Sequence, residues 1–178
     1  REREEYQELL TSHHEEYERM ARMVETMLFL ARADHAEIAL ITQSLDSSSE
    51  LRRIAEYFDG PAHDAGVTFE VTGAGSVVAD ALLFRRAVGN LVSNAIRYTP
   101  RGMSIRLDAR LSEAGMTIAV SNPGDGIAKQ DLPRLFERFY RSDKSRSSSA
   151  TSSGLGLAIV KSIMKLHRGE VTVTSIDK

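Results

Sequence analysis

The sequence predicts an α/β domain behind one long, coiled-coil-like helix, and three observations predict it. Between Tyr6 and Ala31 apolar side chains recur at alternating spacings of four and three residues, which is a heptad seam. Three short stretches, Val67 to Val71, Met103 to Leu111 and Met116 to Val120, alternate apolar with polar residues, as strands with one buried face do. Two others, Phe84 to Ala95 and Gly154 to Gly169, carry the helical period instead.

The seam consists of Tyr6, Leu10, His13, Tyr17, Met20, Val24, Met27 and Ala31. Its stripe is too narrow for a globular core and wants partner helices, so residues 1–34 are expected to form a homodimeric bundle. His13 and His14 lie on and beside the seam; with no second ligand one turn on, they read as structure rather than as a metal or phospho-acceptor site. Residues 35–46 read as a polar linker with an extended piece around Ile38 to Thr42, and residues 47–178 as the main domain. Ser47 and Glu50 have capping-box spacing and open a helix that turns Leu51, Ile54, Ala55, Phe58, Ala62 and Ala65 inward. Gly60-Pro61 should split that helix and Gly66 should end it. Strands at Val67 to Val71 and Val77 to Ala79 follow, the second running into Asp80, a good N-cap. Ser112 to Gly115 turns the 103–111 strand back into the 116–120 strand as an antiparallel hairpin. Leu132, Leu135, Phe136 and Phe139 predict a second helix, and Glu170 to Ile176 a last strand.

Bulk properties narrow the function classes. The 178 residues suffice for one domain plus an appendage. With 23 basic against 25 acidic side chains the net charge is −2, so no nucleic-acid partner is expected and any basic site is local. The lack of cysteine excludes disulfide frameworks and cysteine-ligated zinc. No apolar run reaches the roughly 18 to 20 residues that cross a bilayer, and the first residues are charged rather than signal-like, so a soluble domain is expected.

The chemistry gathers around NLVSNAIRYTP, residues 90 to 100. As a helix this stretch turns Phe84, Val88, Leu91 and Ala95 to one apolar face and Asn90, Asn94 and Arg97 to a separate polar stripe. Carboxamide oxygens are hard donors suited to a magnesium ion already half-coordinated by phosphates, and a guanidinium one turn on meets the phosphate charge. Because asparagine is a mediocre helix former, two of them one turn apart point to ligands rather than to a solvated face. Gly154 and Gly156 stand just before a helix, where free N–H groups bind phosphate, and fit neither the dinucleotide fingerprint nor the lysine-ending phosphate loop. Arg138, Arg141, Lys144 and Arg146 collect positive charge nearby, with Arg141, beside Phe139 and Tyr140, the foremost candidate. Gly124 and Gly126 in NPGDGI, residues 122 to 127, mark a tight turn after a strand.

The order of these motifs resembles the ATP-binding catalytic domain of sensor histidine kinases, a fold shared with gyrase, the Hsp90 chaperones and the MutL repair proteins. NLVSNAIRYTP matches the asparagine box, NPGDGI the first glycine box, LFERFYR the phenylalanine box and GLGLAIVK the second glycine box. RMVETMLFLARAD, residues 22 to 34, is similar to the end of the second dimerisation helix, and with the NPG turn it most resembles the heavy-metal-responsive sensor kinases. The resemblance implies a two-layer α/β sandwich with ATP and Mg²⁺ as cofactors, Asn90 and Asn94 near the metal, and Arg97 and Tyr98 at the phosphates or ribose. It places Asn122 at adenine and brings Gly124, Gly126, Ile127, Phe139, Gly154, Leu155, Gly156 and Leu157 around the nucleotide. Asn90, Asn94, Arg97 and Arg141 form the implied catalytic set. A response regulator is the implied partner, and a cytoplasmic domain of a bacterial inner-membrane protein the implied setting.

Departures from the family pattern sharpen that expectation. Position 122 is Asn where most members have Asp, and Ala150 and Ser152 stand where relatives often have glycine. An amide can face both N6 and N1 of adenine, and by flipping could present its NH₂ to guanine. No histidine here is followed by the acceptor motif, and the final GT-x-F strand is absent, so the phosphorylated helix is expected elsewhere. ATPases of this fold carry a glutamate general base four residues before the magnesium asparagine. Asn90 holds that place and accepts no proton, which argues for transfer to a protein side chain over hydrolysis. A non-catalytic nucleotide-binding dimerisation module is the remaining alternative.

Overall fold

A computed structural model describes residues 2–35, 37–113, 115–141 and 153–176, apart from the side chains of residues 2–9, 12 and 15. The chain divides into two compact units, Arg1–Ile38 and Ala39–Lys178. The first unit is one helix, α1 (Glu2–Asp34). Its seam residues Leu10, Tyr17, Met20, Val24 and Met27 are 41% to 67% exposed, while ion pairs such as Arg19–Glu16 and Arg22–Glu18 run along its surface. His13 is exposed, and His14 lies 3.6 Å from Glu18 one turn on. Among the described residues no cluster of three histidine or acidic side chains could hold a metal ion, and no helix is long and apolar enough to cross a membrane.

The second unit has helices layered on sheet. β1 (Thr42–Asp46) pairs antiparallel with β3 (Ser76–Asp80). β2 (Thr68–Gly73) runs parallel to β4 (Ser104–Ser112), which pairs antiparallel with β5 (Gly115–Ser121). Between the strands come α2 (Ser47–Tyr57), α3 (Asp59–Ala65) and α4 (Ala81–Tyr98), and later α5 (Gly156–Leu166). Period-2 alternation sends Ile105, Leu107 and Ala109 of β4 to the inner face. There they form one cluster with Leu51 and Ile54 of α2 and Phe84, Val88, Val92 and Ala95 of α4. Each large aliphatic or aromatic side chain so buried contributes about 1.5–3 kcal/mol. The other face of the three-stranded sheet is polar: Arg106 pairs with Glu70 at 3.1 Å, and Asp108 is held by Thr72 and Arg110.

Several boundaries differ from the sequence expectations, each for a local reason. The extended piece falls at Thr42–Asp46, later than Ile38 to Thr42, because it is set by pairing with β3. The cap of α2 is Asp46, whose carboxylate accepts the Ser49 N–H at 2.7 Å, so Ser47 and Glu50 are not a capping box. The Ser47 hydroxyl donates instead to the Gly75 carbonyl. The helix splits at Phe58, which leaves Pro61 in the first turn of α3, where no N–H is needed, and Gly66 ends it as expected. The expected helix over 132–139 is only a 3₁₀ turn at Leu132–Arg134. Only single turns follow, Glu137 N–H bonding the Arg134 carbonyl and Tyr140 N–H the Glu137 carbonyl, and Phe139 adopts φ 62°, outside the helical region. Residues 170–176 form no strand among the described residues. Their burial alternates as a strand's would, but they pair with none of the five strands.

Glu50 is buried and does other work. Arg85 of α4 grips it with Nε at 2.6 Å and Nη2 at 2.9 Å, and these bonds hold its carboxyl below the ordinary range against the opposing effect of burial. A carboxyl depressed in the folded state contributes fully above its unfolded value of about 4.3 and loses that contribution as pH falls through the folded value. Glu50→Gln should therefore lower the urea midpoint near pH 7 and lower it by less near pH 3. An offset of equal size at both pH values would show that the charge pair contributes nothing.

Candidate nucleotide-binding site

Asp80 starts α4. Its Oδ1 accepts the N–H groups of Leu82 and Leu83 at 3.0 and 3.1 Å, and its Oδ2 accepts that of Ile41. The Leu83 bond above all keeps this carboxyl below its ordinary pKa. The helix buries Leu83, Phe84, Ala87, Val88, Val92 and Ala95. Leu91, expected on the core face, is half-buried, because positions 84, 88, 92 and 95 complete the inward stripe.

That orientation leaves Asn90, Asn94 and Arg97 half-buried along the neighbouring stripe. Asn90 Nδ2 donates to the Arg86 carbonyl at 2.7 Å, so Oδ1 is the free end of its amide. The Arg97 guanidinium lies 5.6 Å from the centre of the Tyr98 ring. Its Nη2 is buried without a hydrogen-bond partner among the described residues. A buried, unpaired donor costs about 1–3 kcal/mol, more when charged, so an acceptor is wanted there.

Three junctions bring the motifs together around α4. A Cβ on Gly156 would stand 2.9 Å from Asn90 Oδ1, so the start of α5 rests directly on the stripe. No side chain among the described residues caps that start, so its first N–H groups and helix dipole are suited to an anion. A Cβ on Gly124 would stand 3.1 Å from the Tyr98 carbonyl, which seats the first glycine turn on the C-terminal end of α4. Phe139 N–H donates to the Gly154 carbonyl at 3.0 Å, and a Cβ on Gly154 would reach within 2.9 Å of the Phe139 carbonyl carbon. Leu155 is buried beneath this junction, with Leu157 half-buried.

The remaining candidates are placed less tightly. Asn122 is exposed, and its Nδ2 donates to the Pro123 carbonyl at 3.0 Å. Phe139 is 53% exposed and Arg141 half-buried, while Tyr140 donates its hydroxyl to Asp131 at 2.8 Å under the Arg134 guanidinium. Lys144, Arg146, Ala150 and Ser152 lie outside the described residues. Ser175 was not anticipated: its Oγ accepts the Ile127 N–H at 2.8 Å and braces the first glycine turn. Its inward phase with Val171 and Val173 was the available signal.

A two-layer α/β unit whose glycine-opened helix starts against a carboxamide of α4 has the layout of a nucleotide-binding domain. Residues 79–178 match the family model described as histidine kinase-, DNA gyrase B-, and HSP90-like ATPase, and the chain belongs to that family. It is 45% identical over 172 residues to the sensor protein IrlS of Burkholderia pseudomallei, covering 97% of this chain and 37% of that protein. It is 44% identical over 176 residues to the sensor histidine kinase CusS of Escherichia coli K12, covering 98% of this chain and 37% of that protein. The chain thus spans little more than a third of the length of these relatives. Among solved structures, full-length ShkA in complex with AMPPNP superposes with a TM-score of 0.70 at 27% identity, over 83% of this chain and 31% of that one.

Proposed function

We propose that this chain supplies the ATP-binding catalytic domain of a metal-responsive sensor histidine kinase. It passes the γ-phosphoryl group of Mg-ATP to a histidine on a dimerisation helix, for relay to a response regulator. The observation that carries this reading is the start of α5 laid against Asn90 Oδ1, with the buried Arg97 Nη2, unpartnered among the described residues, about two turns further along α4. Asn90, whose amide nitrogen is tied to Arg86, and Asn94 offer oxygens to Mg²⁺, which would screen the phosphate charge. Arg97 and Tyr98 contact phosphate or ribose, the backbone of Gly154 to Leu157 cradles the phosphates, and Arg141 stabilises charge during transfer. Gly124, Gly126 and Ile127 shape the base pocket, with Phe139 at its rim.

The exposed seam of α1 is the homodimer surface, and the domain acts in the cytoplasm, tethered to the inner membrane only by segments other than this one. Incubation with labelled ATP tests the kinase reading. The chain alone should bind Mg-ATP without becoming labelled, and an added histidine-bearing dimerisation helix should acquire acid-labile phosphate. Stoichiometric labelling of His13 or His14, or no labelling of the added helix, would overturn it.

Adenine selection falls to Asn122. With Nδ2 committed to the Pro123 carbonyl, the amide presents Oδ1 to the N6 amino group, as a carboxylate would. Flipping to suit guanine would break that bond, so the parent should reject GTP nearly as firmly as Asn122→Asp. Calorimetry should find Asn122→Asp within a few-fold of the parent for ATP and Asn122→Leu weaker by about 1–3 kcal/mol. Equal ATP affinity in the parent and the Leu variant would reduce Asn122 to a turn residue.

A further inference from the structure

His167 is the C-cap of α5, far along the helix from the phosphate-binding end, yet both of its ring nitrogens are engaged. Nδ1 lies 2.9 Å from the Ile163 carbonyl, which can only accept, so Nδ1 carries the proton. Nε2 therefore accepts, and it takes the backbone N–H of Asp80 at 3.0 Å. Asp80 is the N-cap of α4, so one imidazole joins the end of α5 to the start of α4. The helix end that presents it is itself fixed. Gly169 N–H bonds to the Met164 carbonyl and Arg168 N–H to the Lys165 carbonyl, with Arg168 in the left-handed region at φ 56°. That is a Schellman turn built on a non-glycine residue.

α4 and α5 pack against each other, and their two fixed points match in spacing. Asp80 to Asn90 is ten residues and Gly156 to His167 eleven, about 15 and 17 Å of helix at 1.5 Å per residue. Two antiparallel helices pinned at both ends cannot slide without breaking one pin. At one end Gly156 lies against Asn90 Oδ1. At the other, His167 holds Asp80.

We propose that His167 is a positioning residue for the nucleotide site, setting the register of α5 against α4 so that the first N–H groups of α5 meet the Asn90–Asn94–Arg97 stripe. A slip of a single residue would move the start of α5 by about 1.5 Å, enough to misplace phosphate donors. This rests on the nucleotide-binding reading above. Its test separates the two, because parent binding of Mg-ATP is measured first: a parent that does not bind sinks both, whereas a binding parent leaves the variants to decide this proposal alone.

His167→Leu removes the acceptor, while His167→Gln keeps a carboxamide oxygen within reach of the Asp80 N–H. Mg-ATP affinity, measured by calorimetry well below each variant's Tm, should fall tenfold or more in His167→Leu and return to within about threefold of the parent in His167→Gln. A Leu variant that loses Tm but binds like the parent would make His167 merely structural, and equal weakening in both variants would exclude the hydrogen bond as the cause. Should the Leu variant not fold, nitrogen NMR of the parent ring decides. The Nδ1–H tautomer with a slowly exchanging Asp80 amide is expected, and the Nε2–H tautomer would overturn the proposal.

Discussion

Asn94→Ala should lower Mg-dependent nucleotide affinity by at least about 100-fold, which is about 2.7 kcal/mol of binding free energy. The substitution removes an oxygen donor from the half-buried stripe on α4 between Asn90 and Arg97. It takes nothing from the fold, because alanine is the better helix former, and the Tm should hold or rise. Loss of binding with an unchanged Tm therefore isolates the ligand. Asn94→Asp should retain metal affinity but add repulsion against phosphate, placing it between the parent and the Ala variant. Calorimetry with and without Mg²⁺ reads all three. If Asn94→Ala binds Mg-ATP as the parent does, the stripe is not a metal site.

The largest stability effect should fall at Gly73, the last residue of β2, which has φ 78°. It pairs with Ala109 of β4, and a Cβ there would stand 1.9 Å from the Ala109 carbonyl oxygen. Gly73→Ala must therefore pull the parallel pair apart at the edge of the core cluster. Gly102 is the internal control: its φ is 82°, but a Cβ there would meet nothing within 4 Å. Gly102→Ala should cost only the left-handed backbone term, about 1–2 kcal/mol, whereas Gly73→Ala should cost about 4 kcal/mol or more, a large part of a typical domain's stability. Urea denaturation of the two variants checks this. Similar midpoints would show that the strands yield without loss.

Much of the site was legible because its signals are local. A helix has a fixed period, so Asn90, Asn94 and Arg97 had to share a stripe once the apolar residues of α4 chose the core. Glycines before a helix, and an aspartate before an apolar helical run, announce their roles through backbone geometry alone, and Asp80 and Gly156 took those places. Where the sequence reading failed, a competing local solution won. Asp46 displaced Ser47 as the cap of α2, and the left-handed Phe139 is incompatible with a helix that apolar spacing favoured.

By itself, then, the sequence determined the period of α4, α5 and the strands β2, β4 and β5, the polar stripe on α4, the glycine-opened α5 and the family to which the chain belongs. Only the tertiary structure decided which groups meet across it. Arg85 on Glu50, Ser175 under Ile127, His167 at the cap of α4 and the burial of Arg97 Nη2, unpaired among the described residues, join residues far apart in the chain or depend on packing around them. No residue spacing encodes such contacts, because they are selected by the packing of whole helices on a sheet, where a shift of one residue would exchange every partner.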